Sequence, residues 1–93
     1  MNRYESLYIL KPDMEEEARK ALIEKFANLV TENGAKLEKV EEWGIRKLAY
    51  EIDYIKEGYY VLMTFEAPSS FPAELERNYK ISDNVIRFNV IRL

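Results

Sequence analysis

Residues 35–52 run for eighteen positions without a proline and without an apolar stripe of helical period, and they carry Val40, Trp43, Ile45, Leu48, Tyr50 and Ile52. Such a segment reads as one long β-strand. At roughly 3.3 Å per residue it would extend to about 60 Å, more than a domain of this size measures across, so it must bend or project as an arm. The apolar parity changes between Leu37 and Val40 and again near Trp43-Gly44, which places bulges or a bend at those two points.

The flanking segments define the rest. "RYESLYIL" mixes aromatic and branched residues and stops at Lys11-Pro12, where proline cannot donate to a ladder, so a first strand ends there. Asp13 and Glu16 then have the form of a capping box, and Glu15, Glu16 and Glu17 suit the positive end of a helix dipole. Ala18, Leu22, Phe26, Leu29 and Val30 fall on one stripe and Asn33-Gly34 supplies a stop, which predicts a helix over residues 14–33.

After the long strand, "DYIKEG" turns the chain through a loop longer than two residues into the strand "GYYVLMTFEA". Pro68-Ser69-Ser70 ends that strand. "SSFPAELERNYKI" offers serine caps, a proline in the first turn and a Phe71, Leu75, Tyr79 stripe, and so forms a short second helix. Asp83-Asn84 turns again into a final strand, "VIRFNVIRL".

The order is strand, helix, strand, strand, helix, strand. With right-handed crossovers it builds an α+β, ferredoxin-like βαββαβ fold: a four-stranded antiparallel sheet with both helices on one face and the other face open. At 93 residues and 47% hydrophobic content the chain is expected to form a single domain over residues 1–93. Alternation puts Tyr59, Val61, Met63 and Phe65, with Ile86, Phe88 and Val90, toward the helices. Tyr60, Leu62, Arg87, Asn89 and Ile91 are left on or near the open face.

Composition narrows the chemistry. The chain has no cysteine and no histidine, which removes thiolate and imidazole metal ligands, thiol nucleophiles and the usual general base near neutral pH. Acid pairs such as Glu41-Glu42 lie in charged, solvated segments, with no glycine-rich phosphate loop and no serine beside a base. No enzyme, cofactor or metal site is expected. The N-terminal apolar run is too short and interrupted for a signal or membrane segment, which points to the cytoplasm.

The formal net charge is −3, but residues 13–42 hold nine acids against five bases, and the remainder of the chain has one cation in excess. Residues 43–50 and 84–93 carry cations and no acid. Arg3, Arg46, Lys47, Arg87 and Arg92 all fall on strands or their ends, away from the acidic helix, and arginine suits phosphate geometry. The bland alternative pairs Arg46 across the hairpin with Glu57 or another acid and leaves Lys47 in solvent. "EGYYVLMTF" resembles the RNP1 strand of an RNA-recognition module only poorly, since Glu57 stands where a base is expected. The patch of Tyr60, Leu62, Asn89 and Ile91 therefore reads as a protein-partner interface.

Taken in order and spacing, "WGIRKLAYEI", "GYYVLMTFEAP", "ELE" and "DNVIRFNVIR" resemble the bacterial small-subunit ribosomal protein number six, the S-six family, and the resemblance runs from "RYESLYILKPD" to the last residue. It implies a noncatalytic structural constituent of the small ribosomal subunit. It further implies a heterodimer with ribosomal protein number eighteen and binding to the central domain of small-subunit ribosomal RNA, with contacts among the five cations above. Glu51 stands where the family usually has proline, and Asp53 where a base is common. Two other readings stay open: a single-strand RNA binder, which needs the rings of Tyr4, Tyr8, Tyr59 or Tyr60 exposed together, and a dimeric ferredoxin-like regulatory or ligand-binding domain.

Overall fold

A computed structural model describes residues 1–52 and 54–93; Asp53, singled out above for its charge, lies outside the described residues. The elements are β1 (Asn2–Leu10), α1 (Glu16–Glu32), β2 (Lys36–Ile52), β3 (Ile55–Ala67), α2 (Phe71–Ile81) and β4 (Val85–Arg92). The strands form one antiparallel sheet in the order β2-β3-β1-β4, as the ferredoxin-like reading requires.

The core lies between the helices and one sheet face. Tyr4, Ser6, Tyr8 and Leu10 of β1 alternate into it, and Val61, Met63, Phe65 and Ala67 of β3 meet them from the neighbouring strand. α2 contributes the expected Phe71, Leu75 and Tyr79. At the centre, the rings of Tyr8, Phe26 and Tyr79 lie 4.8–5.1 Å apart in edge and tilted contacts, and Tyr79 continues to Phe88 of β4 at 5.3 Å. Such contacts add about 0.5–1.5 kcal/mol per pair beyond the area they bury.

α1 departs from its expected boundaries and phase. Its N-cap is Glu15 rather than Asp13, with no side-chain cap hydrogen bond, because Met14 is drawn against the core and the first turn is displaced toward the C-terminus. Its buried residues are Ile23, Phe26 and Val30, with Leu22 and Leu29 flanking and Ala18 exposed. Arg19 lies on the inward side. Its guanidinium sits 4.2 Å from the centroid of the Tyr59 ring, a use of a cation that a polar-face count does not anticipate. Asn33-Gly34 ends the helix as expected: the Asn33 Nδ2 donates to the Leu29 carbonyl and Gly34 adopts φ +75°. Ser70 holds the N-cap position of α2 without a side-chain cap bond.

The long strand bends where its parity changes. Register against β3 shifts between Leu37 and Lys39, between Glu42 and Gly44, and between Lys47 and Ile52. The second shift is a bulge in which Gly44 takes φ +83°, a backbone conformation that a Cβ disfavours. β3 pairs with β1 only from Tyr59 onward, so residues 55–58 and their β2 partners reach past β1 as an arm. The hairpin is tighter than expected: Ile52 pairs with Ile55, so β3 begins inside "DYIKEG". On β4 a register shift opposite Ile9 and Leu10 brings Val85, rather than the expected Ile86, against the core.

The arm folds back over the open face. Ile9 points away from the helices yet is only 7% exposed, because Leu48 and the β3 backbone at Gly58 cover it. A Cβ at Gly58 would collide with Ile9 Cγ2. Gly58→Ala should therefore overpack this contact and lower stability by about 1–3 kcal/mol, read from urea unfolding; an unchanged midpoint would mean that the arm does not rest on Ile9.

The core tyrosines make a contrasting pair. Tyr79 shares a 2.6 Å hydrogen bond with buried Ser6, whereas the buried Tyr8 hydroxyl has no partner among the described residues. Tyr79→Phe should cost about 1–3 kcal/mol by orphaning the Ser6 hydroxyl, and Tyr8→Phe should be neutral or stabilising. Burial raises the pKa of both phenols. The unfolded chain releases those protons first, near the ordinary tyrosine value of about 10, so stability is fully present below that pH and falls as pH rises above it. A urea midpoint that stays flat to pH 11 would contradict this, and Tyr8→Phe should reduce the slope.

Candidate nucleic-acid and protein interface

On the open face the register aligns three cross-strand rows. Tyr60, Ile9 and Arg87 form one; Leu62, Leu7 and Asn89 the next; Thr64, Glu5 and Ile91 the third. Tyr60, Leu62, Asn89 and Ile91, the four residues expected to meet a protein partner, are thus brought together on one surface. Tyr60 and Leu62 are half-buried by their neighbours, Asn89 is exposed, and Ile91 is 44% exposed. β2 extends the surface through Arg46 opposite Gly58, Gly44 opposite Tyr60, and Glu41 opposite Leu62.

The bulge at Gly44 re-aims Trp43. Strict alternation groups it with Ile45 and Lys47, but the extra residue turns it to the open face, where its ring stacks on Tyr60 at 6.4 Å with an interplanar angle of 11°. The Arg46 guanidinium lies 5.4 Å from the Trp43 ring. Trp43 remains 40% exposed. At the end of the arm, Leu48, Tyr50 and Ile52 face Leu7, Ile9, Tyr60 and Arg87 across a cleft of about 210 Å³. Arg87 closes it by donating to the Tyr50 hydroxyl, with its guanidinium 5.1 Å from the Tyr50 ring centroid.

The five expected RNA-contacting cations do not form one patch. Arg46 and Arg87 share the open face near the arm, both against aromatic rings and neither within 4 Å of a carboxylate among the described residues. Arg3 is at the opposite end of the sheet, bound to Glu38 at 3.1 Å in a region that also holds Glu5 and Glu66. Arg92 lies beside it opposite Tyr4, donating to Asn2 Oδ1 at 2.9 Å. Lys47 stands across from Glu57, on the other side of the arm from Arg46. The pairing of Arg46 with Glu57 is therefore corrected: a strand's side chains alternate, and the position opposite Arg46 is Gly58.

Ring exposure bears on the single-strand reading. Tyr4 and Tyr8 are buried in the core, and Tyr59 is covered by Arg19 and donates to Glu42 at 2.8 Å. Those rings do not present a shared stacking platform. The exposed aromatics are instead Trp43, Tyr50 and Tyr54. Sequence reading missed Trp43 and Tyr50 as open-face residues; the signal for Trp43 was its neighbour Gly44 at a parity change, while nothing local indicates that Tyr50 reaches β4.

Comparisons with known proteins identify the family of the chain. The family described as Ribosomal protein S6 matches residues 3–92. Small ribosomal subunit protein bS6 of Thermoanaerobacter pseudethanolicus is 56% identical over 92 residues, covering 99% of this chain and 97% of the relative. The bS6 protein of Alkaliphilus oremlandii is 53% identical over 93 residues, covering 100% and 98%. The crystal structure of 30S ribosomal protein S6 from Thermotoga maritima superposes with a TM-score of 0.94 at 35% identity, covering 99% of this chain and 87% of that one. The P2 domain of a chemotaxis kinase matches at TM-score 0.65 and 12% identity, a likeness of fold alone. The chain belongs to the ribosomal protein S6 family, as a structural and nonenzymatic component of the small ribosomal subunit.

Proposed function

We propose that this chain, acting as one domain over residues 1–93, binds the central domain of small-subunit ribosomal RNA jointly with ribosomal protein number eighteen. The observation that carries the reading is the division of the open sheet face: an apolar centre of Leu7, Tyr60 and Leu62 with Arg46 and Arg87 toward the arm. The apolar centre favours a protein partner, because covering it removes area from water. The two arginines are far from the acidic α1, which covers the opposite face, and are available to phosphate. Arg3, Lys47 and Arg92 are weaker candidates for RNA contact, since Arg3 already has Glu38, Lys47 faces Glu57 and Arg92 holds Asn2.

Leu62→Asp places a charge at the centre of the apolar rows. It should abolish binding to the partner protein by calorimetry while leaving the melting temperature within a few degrees of the parent, because Leu62 lies outside the core. Unchanged partner affinity would move the interface off this face.

With a net charge of −3, the isolated chain should bind RNA weakly, and the basic surface should be completed by the partner. Titration of labelled central-domain RNA should show tight binding only with the heterodimer. Within the heterodimer, Arg46→Ala and Arg87→Ala should each lower the slope of log affinity against log salt by about 1. Equal affinities with and without the partner, or unchanged slopes in both variants, would overturn the assignment.

A further inference from the structure

Tyr50 is not among the cations or apolar residues assigned so far, yet its hydroxyl is the atom that ties the arm to β4. It accepts a hydrogen bond from Arg87 Nη1, and the guanidinium carbon lies 5.1 Å from the ring centroid, at the hydroxyl end of the ring. An acceptor hydroxyl keeps its own proton free to donate elsewhere. The guanidinium also has N–H groups beyond the one used on Tyr50, and its planar fork holds them in a fixed arrangement. Tyr50 is 59% exposed and Arg87 is exposed, so both sets of free donors are open to a ligand. We propose that Tyr50 and Arg87 form a composite phosphate site, in which the Tyr50 O–H and the Arg87 guanidinium donate together to one phosphate group of the RNA backbone. The proposal rests on the RNA-binding reading above and names a second residue for it.

Because the two donors belong to different parts of the fold, a phosphate held by both also clamps the arm across the cleft between them. That cleft is lined by Leu7, Ile9, Leu48 and Tyr60, so occupancy of the phosphate site stabilises the arrangement of the apolar face beside it. Binding of RNA and the order of the arm are coupled through one pair of side chains.

The test uses the full chain with its partner protein and compares Tyr50→Phe, which keeps the ring and removes the donor, with Arg87→Ala. Tyr50→Phe should weaken RNA binding about threefold to tenfold with the salt slope unchanged, since a neutral donor releases no counterion. Arg87→Ala should lose affinity and lower the slope by about 1. Melting temperatures of the free variants separate loss of fold from loss of contact. A Tyr50→Phe protein with parental RNA affinity, beside an Arg87→Ala protein with a reduced slope, would overturn the composite site and leave the phosphate reading of Arg87 standing. A parental slope in Arg87→Ala would overturn both. In the isolated chain, titration with inorganic phosphate followed by NMR should shift the Arg87 Nε–Hε signal, and the shift should shrink in Tyr50→Phe. An Arg87 signal that responds equally in both proteins would again rule out the tyrosine's share.

Discussion

The three-way contact of Tyr8, Phe26 and Tyr79 holds the architecture together. Tyr8 sits on a central strand, Phe26 on α1 and Tyr79 on α2, so one aromatic cluster fixes both helices to the same side of the sheet. Burying all three rings on that side commits the alternate residues of β1 and β3 to the other. The open face, with its mixture of half-buried apolar residues and arginines, is the direct complement of this packing.

The shape of that open face depends on irregularity rather than regular pairing. A straight strand of the length of β2 would project far beyond the domain, whose longest dimension is 38 Å. The register shifts bend it, and each does something local. The bulge at Gly44 carries Trp43 onto Tyr60, and the break between Lys47 and Ile52 lets Leu48 and Tyr50 turn toward Ile9 and Arg87. Gly58 permits the close approach by having no side chain where Ile9 and Leu48 must meet.

The same folding sorts charge. Both helices, with most of the acid of α1, lie behind the sheet, while the two arginines nearest the arm lie against aromatic residues and, among the described residues, within 4 Å of no carboxylate. A guanidinium beside a neutral ring keeps its charge uncompensated, whereas a neighbouring carboxylate offsets much of the charge that a phosphate would be drawn to. Arg3 shows the contrast: it is an arginine on the same sheet, but its charge is partly offset by the Glu38 carboxylate, 3.1 Å from its Nε.

Local pattern alone was enough for the six elements, their order, the α2 stripe, the core face of β3 and the two bulge points of β2, because each is set by periodicity and by glycine and proline placement. It also carried the family, in the stretch from Trp43 to Ile52 and its companions. What local pattern could not supply was the start and phase of α1, where docking of Met14, Arg19 and Ile23 overrode the capping signal. Nor could it supply the tight hairpin joining Ile52 to Ile55, or the division of the five cations. Those depend on which residues meet across strands distant in sequence. Arg87 and Tyr50 are 37 positions apart, and only the bend of the arm over the sheet makes them neighbours.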